Sequence, residues 1–141
     1  MSQVPMTPNN IKAYFLRAGY QGCFGEIQNT LEAKQAYVGG YIEVISIDGV
    51  IDLICNEEGK LLHLPVNRAF VDDNGEVLDV IVGDILVVRH NDEGEFVDVH
   101  EDDLGIITKH LRPCQIIGEH GGYTVVKIMP EEELGIWKNE K

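Results

Sequence analysis

Asn67 and Arg68 stand side by side just after Pro65, and they have more to offer chemically than any other pair in the chain. A guanidinium is a rigid fork of donors suited to a carboxylate or a phosphate, and a neighbouring amide adds two further N–H groups. In a segment poor in cations, such a pair either meets a carboxylate or holds an anion. Glu43 or Glu58 is the matching acid. Glu43 lies within the apolar run Tyr41-Ile42-Glu43-Val44-Ile45, where an ionised carboxylate is costly unless partnered, so it reads as an ion-pair partner of Arg68 or as an acid or base. Arg89 joins them if its strand ends near the Pro65 turn. The candidate ligand-binding set is thus Asn67, Arg68, Arg89 and Glu43.

Other chemistries find less support. His63, His90, His100, His110 and His120 lack the H-x-x-x-H spacing of a metal site, and Cys55 with His63 supplies at most half of one. The acidic loops lack EF-hand spacing. Gly39-Gly40 and Gly121-Gly122 lack the Lys-Ser/Thr of a phosphate loop and read as turn glycines. No serine has a plausible His and acid order, and no thiol sits among cations. Cys23, Cys55 and Cys114 are odd in number, far apart and beside apolar residues, which predicts buried reduced thiols rather than disulfides. No catalytic residue, metal or cofactor is expected.

Charge is the dominant compositional feature, at −13 over 141 residues. Residues 43–103 hold 17 Asp and Glu against Lys60, Arg68 and Arg89, a net −14. Such a field repels nucleic-acid phosphate and anionic membrane and attracts basic protein surfaces. The expected acidic surface comprises Asp72, Asp73, Glu76, Asp92, Glu93, Glu95, Asp98, Glu101, Asp102 and Asp103. Its plainest role is solubility; its functional role is to engage a basic partner.

The elements that position these residues follow from the hydrophobic pattern. Thr7-Pro8 reads as a helix start, and Ile11, Tyr14, Phe15 and Ala18 recur at helical spacing, predicting an amphipathic helix over 8–18. Its stripe would cover the sheet or join a homo-oligomer. Residues 23–28 read as a strand, Asn29 with Glu32 as a capping box, and 30–38 as a helix stopped by Gly39, with Leu31, Gln35 and Val38 on one face. Runs 41–47 and 50–55 flank Asp48-Gly49, a strong hairpin signal. The second run has apolar residues at both parities, so both its faces should be covered.

Pro65 reads as the end of regular pairing, which leaves Asn67 and Arg68 just past a sheet end. Strands are expected at 77–82, 85–89 and 95–99, then a helix from Glu101-Asp102-Asp103 through Leu111, ended by Pro113. A final hairpin joins 115–117 to 123–129, and the polar tail 130–141 carries Leu134, Ile136 and Trp137. The expected architecture is a compact single α+β domain: a mainly antiparallel sheet of six or seven strands with two or three flanking helices. Residues 1–22 form an N-terminal helical extension, 23–111 the core and 112–129 a hairpin. A size of 141 residues suits one domain with its own core. The start has neither the basic nor the apolar region of a signal peptide, and no run is long enough for a membrane span, so a cytoplasmic protein is expected.

Three segments carry a resemblance: Val38-Gly39-Gly40-Tyr41-Ile42-Glu43, Asn56-Glu57-Glu58-Gly59-Lys60 and Leu64-Pro65-Val66-Asn67-Arg68. In that order and spacing, followed by Asp79-Val80-Ile81-Val82-Gly83-Asp84-Ile85-Leu86-Val87-Val88, they resemble the bacterial and phage family known as domain of unknown function number 3846, over about residues 23–111. The resemblance implies a home in phages, prophages or mobile elements of bacteria and supplies no activity or catalytic residue.

Three functions compete on these grounds. One is a non-enzymatic inhibitor or adaptor that uses the acidic segment to occupy a basic host-protein surface, such as that of a nucleic-acid-binding defence protein. Another is a binder of a nucleotide-like anion through Asn67, Arg68 and Arg89. A third is a hydrolase using Glu43 or another carboxylate. The first is the primary expectation, with no direct contact to nucleic acid or membrane.

Overall fold

The structure, a computed structural model, describes residues 9–130. Among them, ten strands form two antiparallel sheets accompanied by two short helices. In the first sheet the spatial order is β2 (Cys23–Gln28), β1 (Asn10–Leu16), β7 (Ile85–His90), β4 (Ile51–Asn56) and β3 (Ile42–Asp48); the two-residue β8 (Phe96–Val97) pairs with the end of β7. The second sheet runs β10 (Tyr123–Ile128), β9 (Leu111–His120), β5 (Val66–Val71) and β6 (Val77–Val82). Helix α1 (Leu31–Val38) packs on the first sheet, and a 3-10 turn at Glu101–Asp103 leads into α2 (Leu104–His110), beside β5 and β9.

The first sheet is the middle layer. One of its faces presents Tyr14, Leu16, Leu53 and Val87 to Ile81, Leu111 and Ile107 of the second sheet and α2. Its other face presents Ile11, Ala13, Ile54 and Leu86 to α1 at Val38. Every residue of β4 is buried, as double coverage requires. Each fully buried aliphatic side chain contributes roughly 1.5–3 kcal/mol, so β4 and β7 anchor the domain.

The α+β class, the β3–β4 hairpin across Asp48-Gly49, β2, α1, β6, β7 and the final hairpin all lie where the sequence places them. The expected helix over 8–18 does not form: residues 10–16 are β1, and the Thr7-Pro8 start lies outside the described residues. Ile11 and Ala13 face α1 while Tyr14 and Leu16 face the second sheet, so period two operates on both faces at once. A strand covered on both sides has apolar residues at nearly every position, and some always fall at helical spacing. Ten strands in two sheets also replace the expected single sheet of six or seven.

The division between sheets arises at two corners. Pro65 does not end pairing. It precedes β5, and its carbonyl accepts from the Gly83 N–H at 2.7 Å, at the two-residue step where β6 passes into β7 of the other sheet. Gly83 takes φ of 79°, a conformation glycine adopts without penalty. The helix cap also differs by one residue. Thr30, not Asn29, caps α1, its Oγ1 accepting from Ala33 N at 3.1 Å, and Lys34 and Val38 rather than Leu31 form the buried face. Of the three free thiols, Cys55 is buried and pushed up to about 12 by burial and then Glu43, Cys114 is half-buried, and Cys23 is exposed, against the expectation that all three are buried. Leu134, Ile136 and Trp137 lie outside the described residues.

Candidate functional site

Asn67 and Arg68 lie inside β5, not past a sheet end, and Arg68 is 0% exposed. The Asn67 amide donates to Leu16 O and Gly83 O, both at 2.7 Å, tying the end of β1 to the β6–β7 corner. Its Oδ1 accepts from Arg68 Nη1 at 2.7 Å, while Arg68 Nη2 donates to Tyr20 O at 2.9 Å. These directed donors serve the junction of the two sheets. Asn56 does the same at α1: Nδ2 donates to Val38 O at 3.0 Å and Oδ1 accepts from Glu58 N at 2.8 Å. The segments that carry the family resemblance thus contain the clamps of the fold.

The four candidate ligand-binding residues do not converge. Arg89 in β7 makes a bidentate pair with Asp103, both N–O distances 2.8 Å. That hydrogen bond lowers the Asp103 carboxyl below the usual carboxylate range, against the opposing effect of burial, and raises Arg89. Glu43 is exposed on the edge strand β3, opposite Cys55, beside a small cleft of about 120 Å³ reached by Lys60 and Asp79. It pairs with no arginine among the described residues, because its side chain points to water rather than into the apolar layer that its neighbours suggest.

The acidic residues sort differently. Asp103 is buried and serves Arg89 and the His100 N–H, so it leaves the surface set. The other nine reach solvent. Asp92, Glu93 and Glu95 stand at the β7–β8 turn, and Asp98, Glu101 and Asp102 follow into the 3-10 turn. Asp72, Asp73 and Glu76 form the β5–β6 turn, where Asp73 meets Lys109 at 3.5 Å at the C-terminal end of α2. A seven-residue helix spans about 10 Å, so Glu101 and Asp102 at its start and Asp73 beside Lys109 at its end mark out an acidic edge along α2. Among the described residues Lys12, 3.7 Å from Glu101, Lys109, and His110, whose Nε2 lies 3.4 Å from Asp73, are the basic groups in contact with that edge.

A cleft of about 730 Å³ opens beside this edge, where Asn29, Lys34, Ile42, Glu95, Phe96 and Asp98 meet. Lys34 is 3% exposed. Its Nζ donates to Asn29 Oδ1 at 2.7 Å and Thr30 O at 3.3 Å and lies 5.0 Å from the centre of the Phe96 ring. Among the described residues no carboxylate pairs with it, and burial lowers its pKa. Sequence reasoning passed over Lys34; its one signal is the four-residue spacing to Val38, which puts a cation on the buried face.

The class defined by these features is a two-sheet antiparallel α+β domain with corner clamps and one acidic edge. The model of the family described as Domain of unknown function (DUF3846) matches residues 11–112, and the chain belongs to that family. No curated protein and no solved structure matches it. The match starts inside β1, so that strand is part of the family domain rather than an extension, and it ends two residues into β9. The outer part of the β9–β10 hairpin lies beyond it.

Proposed function

We propose that this chain is a non-catalytic binding protein of a phage or mobile element, acting in the cytosol of a bacterial host, whose acidic edge occupies a basic surface of a host protein. The supporting observation is the set of nine solvent-reaching carboxylates in the turns around β8, the 3-10 turn and the β5–β6 turn, met among the described residues by Lys12, Lys109 and His110. Carboxylates needed by the fold, Asp52 and Asp103, are buried on His90 and Arg89. The nine on the edge reach solvent, and of these Asp72 and Asp98 also accept backbone N–H groups, from Asn74 and Glu76 and from Lys12. A surface that binds nucleic acid, such as that of a defence protein, fits this charge. The test is affinity for a lysine- and arginine-rich peptide as a function of salt. Binding should weaken steeply as ionic strength rises to physiological values, where charges more than about 8 Å apart are screened. Affinity independent of salt would contradict the reading.

A second reading, a small-ligand binder, rests on the cleft at Lys34. Lys34 lines that cleft, but it is 3% exposed and already donates to Asn29 and Thr30, so a nucleotide-like anion would have to draw its Nζ away from them. Calorimetry against a panel of linear and cyclic nucleotides checks it: heat lost in Lys34→Met supports it, and no heat with the wild type removes it.

A further inference from the structure

The outermost strands of the two sheets are β2, β3, β6 and β10. Three of them carry acids: Glu26 on β2, Glu43 and Asp48 on β3, Asp79 on β6. Like charges placed opposite one another on paired strands destabilise, and charge on an edge is a standard protection against pairing with another copy. The sequence of β10 is YTVVKI, which has one charge as β2 and β6 do, but a cation, Lys127, in a chain of net charge −13. Among the described residues its outer edge is open.

Among the described residues the hairpin that bears this edge also lacks cover. Past Cys114, β9 pairs only with β10, and Ile116, Ile117, Tyr123 and Val125 are exposed, Tyr123 at 79%. A two-stranded ribbon alone is marginally stable in water. An apolar ribbon with an open, β-rich edge calls for a partner along that edge.

We propose that β10 pairs antiparallel with β10 of a second copy, joining two four-stranded sheets into one and making the chain a dimer. Charge selects this occupant. Residues 9–110 carry 19 acids against seven Lys and Arg, a net −12, whereas 111–130 carry Arg112 and Lys127 against Glu119, a net +1. A second copy meets no like-charged wall here. Gln115 to His120 extends roughly 20 Å at about 3.3 Å per residue, which separates the two bodies beyond the ~8–10 Å screening length. A basic partner finds its attraction on the body instead. Nucleic acid would find only two cations on the hairpin and strong repulsion behind them.

A two-fold register centred between Val125 and Val126 pairs those residues with each other and sets Lys127 opposite Thr124 of the second copy, with no like-charge pair. The hairpin is smaller than the 20–30 residues per side of a standard interface, so the dimer should dissociate on dilution in the micromolar range.

Sedimentation velocity of the full chain between about 1 and about 100 µM tests this, since weak interfaces exchange over that range. The wild type should pass from monomer to dimer. Thr124→Lys, on an exposed residue, sets like charges across the pairing and should shift the transition at least tenfold upward in concentration; Thr124→Glu sets opposite charges there and should leave it in place or shift it down. Unchanged circular dichroism of both variants excludes misfolding. A wild type that stays monomeric, or a dimer indifferent to Thr124→Lys, overturns the proposal. So does dimerisation only after removal of residues 131–141, which would make the chain's own C-terminal segment the occupant of the edge.

Discussion

Asn67 shows how one side chain can decide whether a polar residue reads as a site. Its amide satisfies two backbone carbonyls from different strands, and its oxygen orients Arg68. Asn67→Leu should destabilise the domain by roughly 2–5 kcal/mol, since each stranded buried acceptor costs about 1–3 kcal/mol; a urea melt reads this directly. The Asp103–Arg89 pair predicts a pH effect of defined sign. Because Asp103 is held below its unfolded value of ~3.9, the stability it contributes is present above that pH and lost as pH falls through the folded value. Asp103→Asn should therefore be clearly less stable than wild type at neutral pH, with the gap narrowing below about pH 4. A constant gap across the acid range would show that the carboxylate's charge is not what matters. Arg89→Ala, which strands a buried carboxylate, should cost about 3 kcal/mol at neutral pH.

Elements bounded by clear turn or cap signals were legible in the sequence, doubly covered β4 and β7 among them, whereas β1, entered through a helix-like Thr7-Pro8, was not. The β3–β4 hairpin and α1 announce themselves through Asp48-Gly49 and through Gly39, whose φ of 84° closes the helix with an N–H to Gln35 O at 2.8 Å. Gly39→Val should cost roughly 1–3 kcal/mol through backbone strain. At Gly40, φ is not positive, and the obstacle is the Asn56 amide 3.0 Å from where a Cβ would stand, so Gly40→Ala should act by loosening the Val38–Asn56 clamp. Thermal melts of the two variants, alone and with Asn56→Ala, separate the mechanisms: the Gly40 effect should shrink in the Asn56→Ala background, the Gly39 effect should not. β1 was illegible because its two buried faces mimic a helical stripe. The passage of β6 into β7 was illegible for a different reason. Val82-Gly83-Asp84-Ile85 reads as a tight break between neighbours, and only the long-range contact of Asn67 with Gly83 shows that the chain changes sheets there. The candidate site was legible in charge and not in geometry. Composition located the acidic segment, while the burial of Arg68 and Asp103, the exposure of Glu43 and the cleft at Lys34 depend on side-chain direction across strands far apart in sequence.

At the scale of the whole molecule, polar side chains divide into two populations. Those that hold the layers together, Asn56, Asn67, Arg68, Asp103 and Arg89, are turned inward onto backbone or onto each other. Those on the edge around α2 are turned outward with few counter-charges. The role of the acidic edge is tested by comparing two four-fold neutralised variants for binding a lysine-rich peptide of about 20 residues at low salt, by fluorescence anisotropy. One carries Asp92→Asn, Glu93→Gln, Glu101→Gln and Asp102→Asn on the edge; the other carries Glu26→Gln, Glu32→Gln, Glu57→Gln and Glu58→Gln, exposed residues elsewhere with the same total charge change. At ~0.2–1 kcal/mol for each exposed charge pair, the edge variant should lose about tenfold or more in affinity and the other about twofold at most. Equal losses in the two variants would contradict the account, because the acidity would then act as a uniform field and not as an interaction surface.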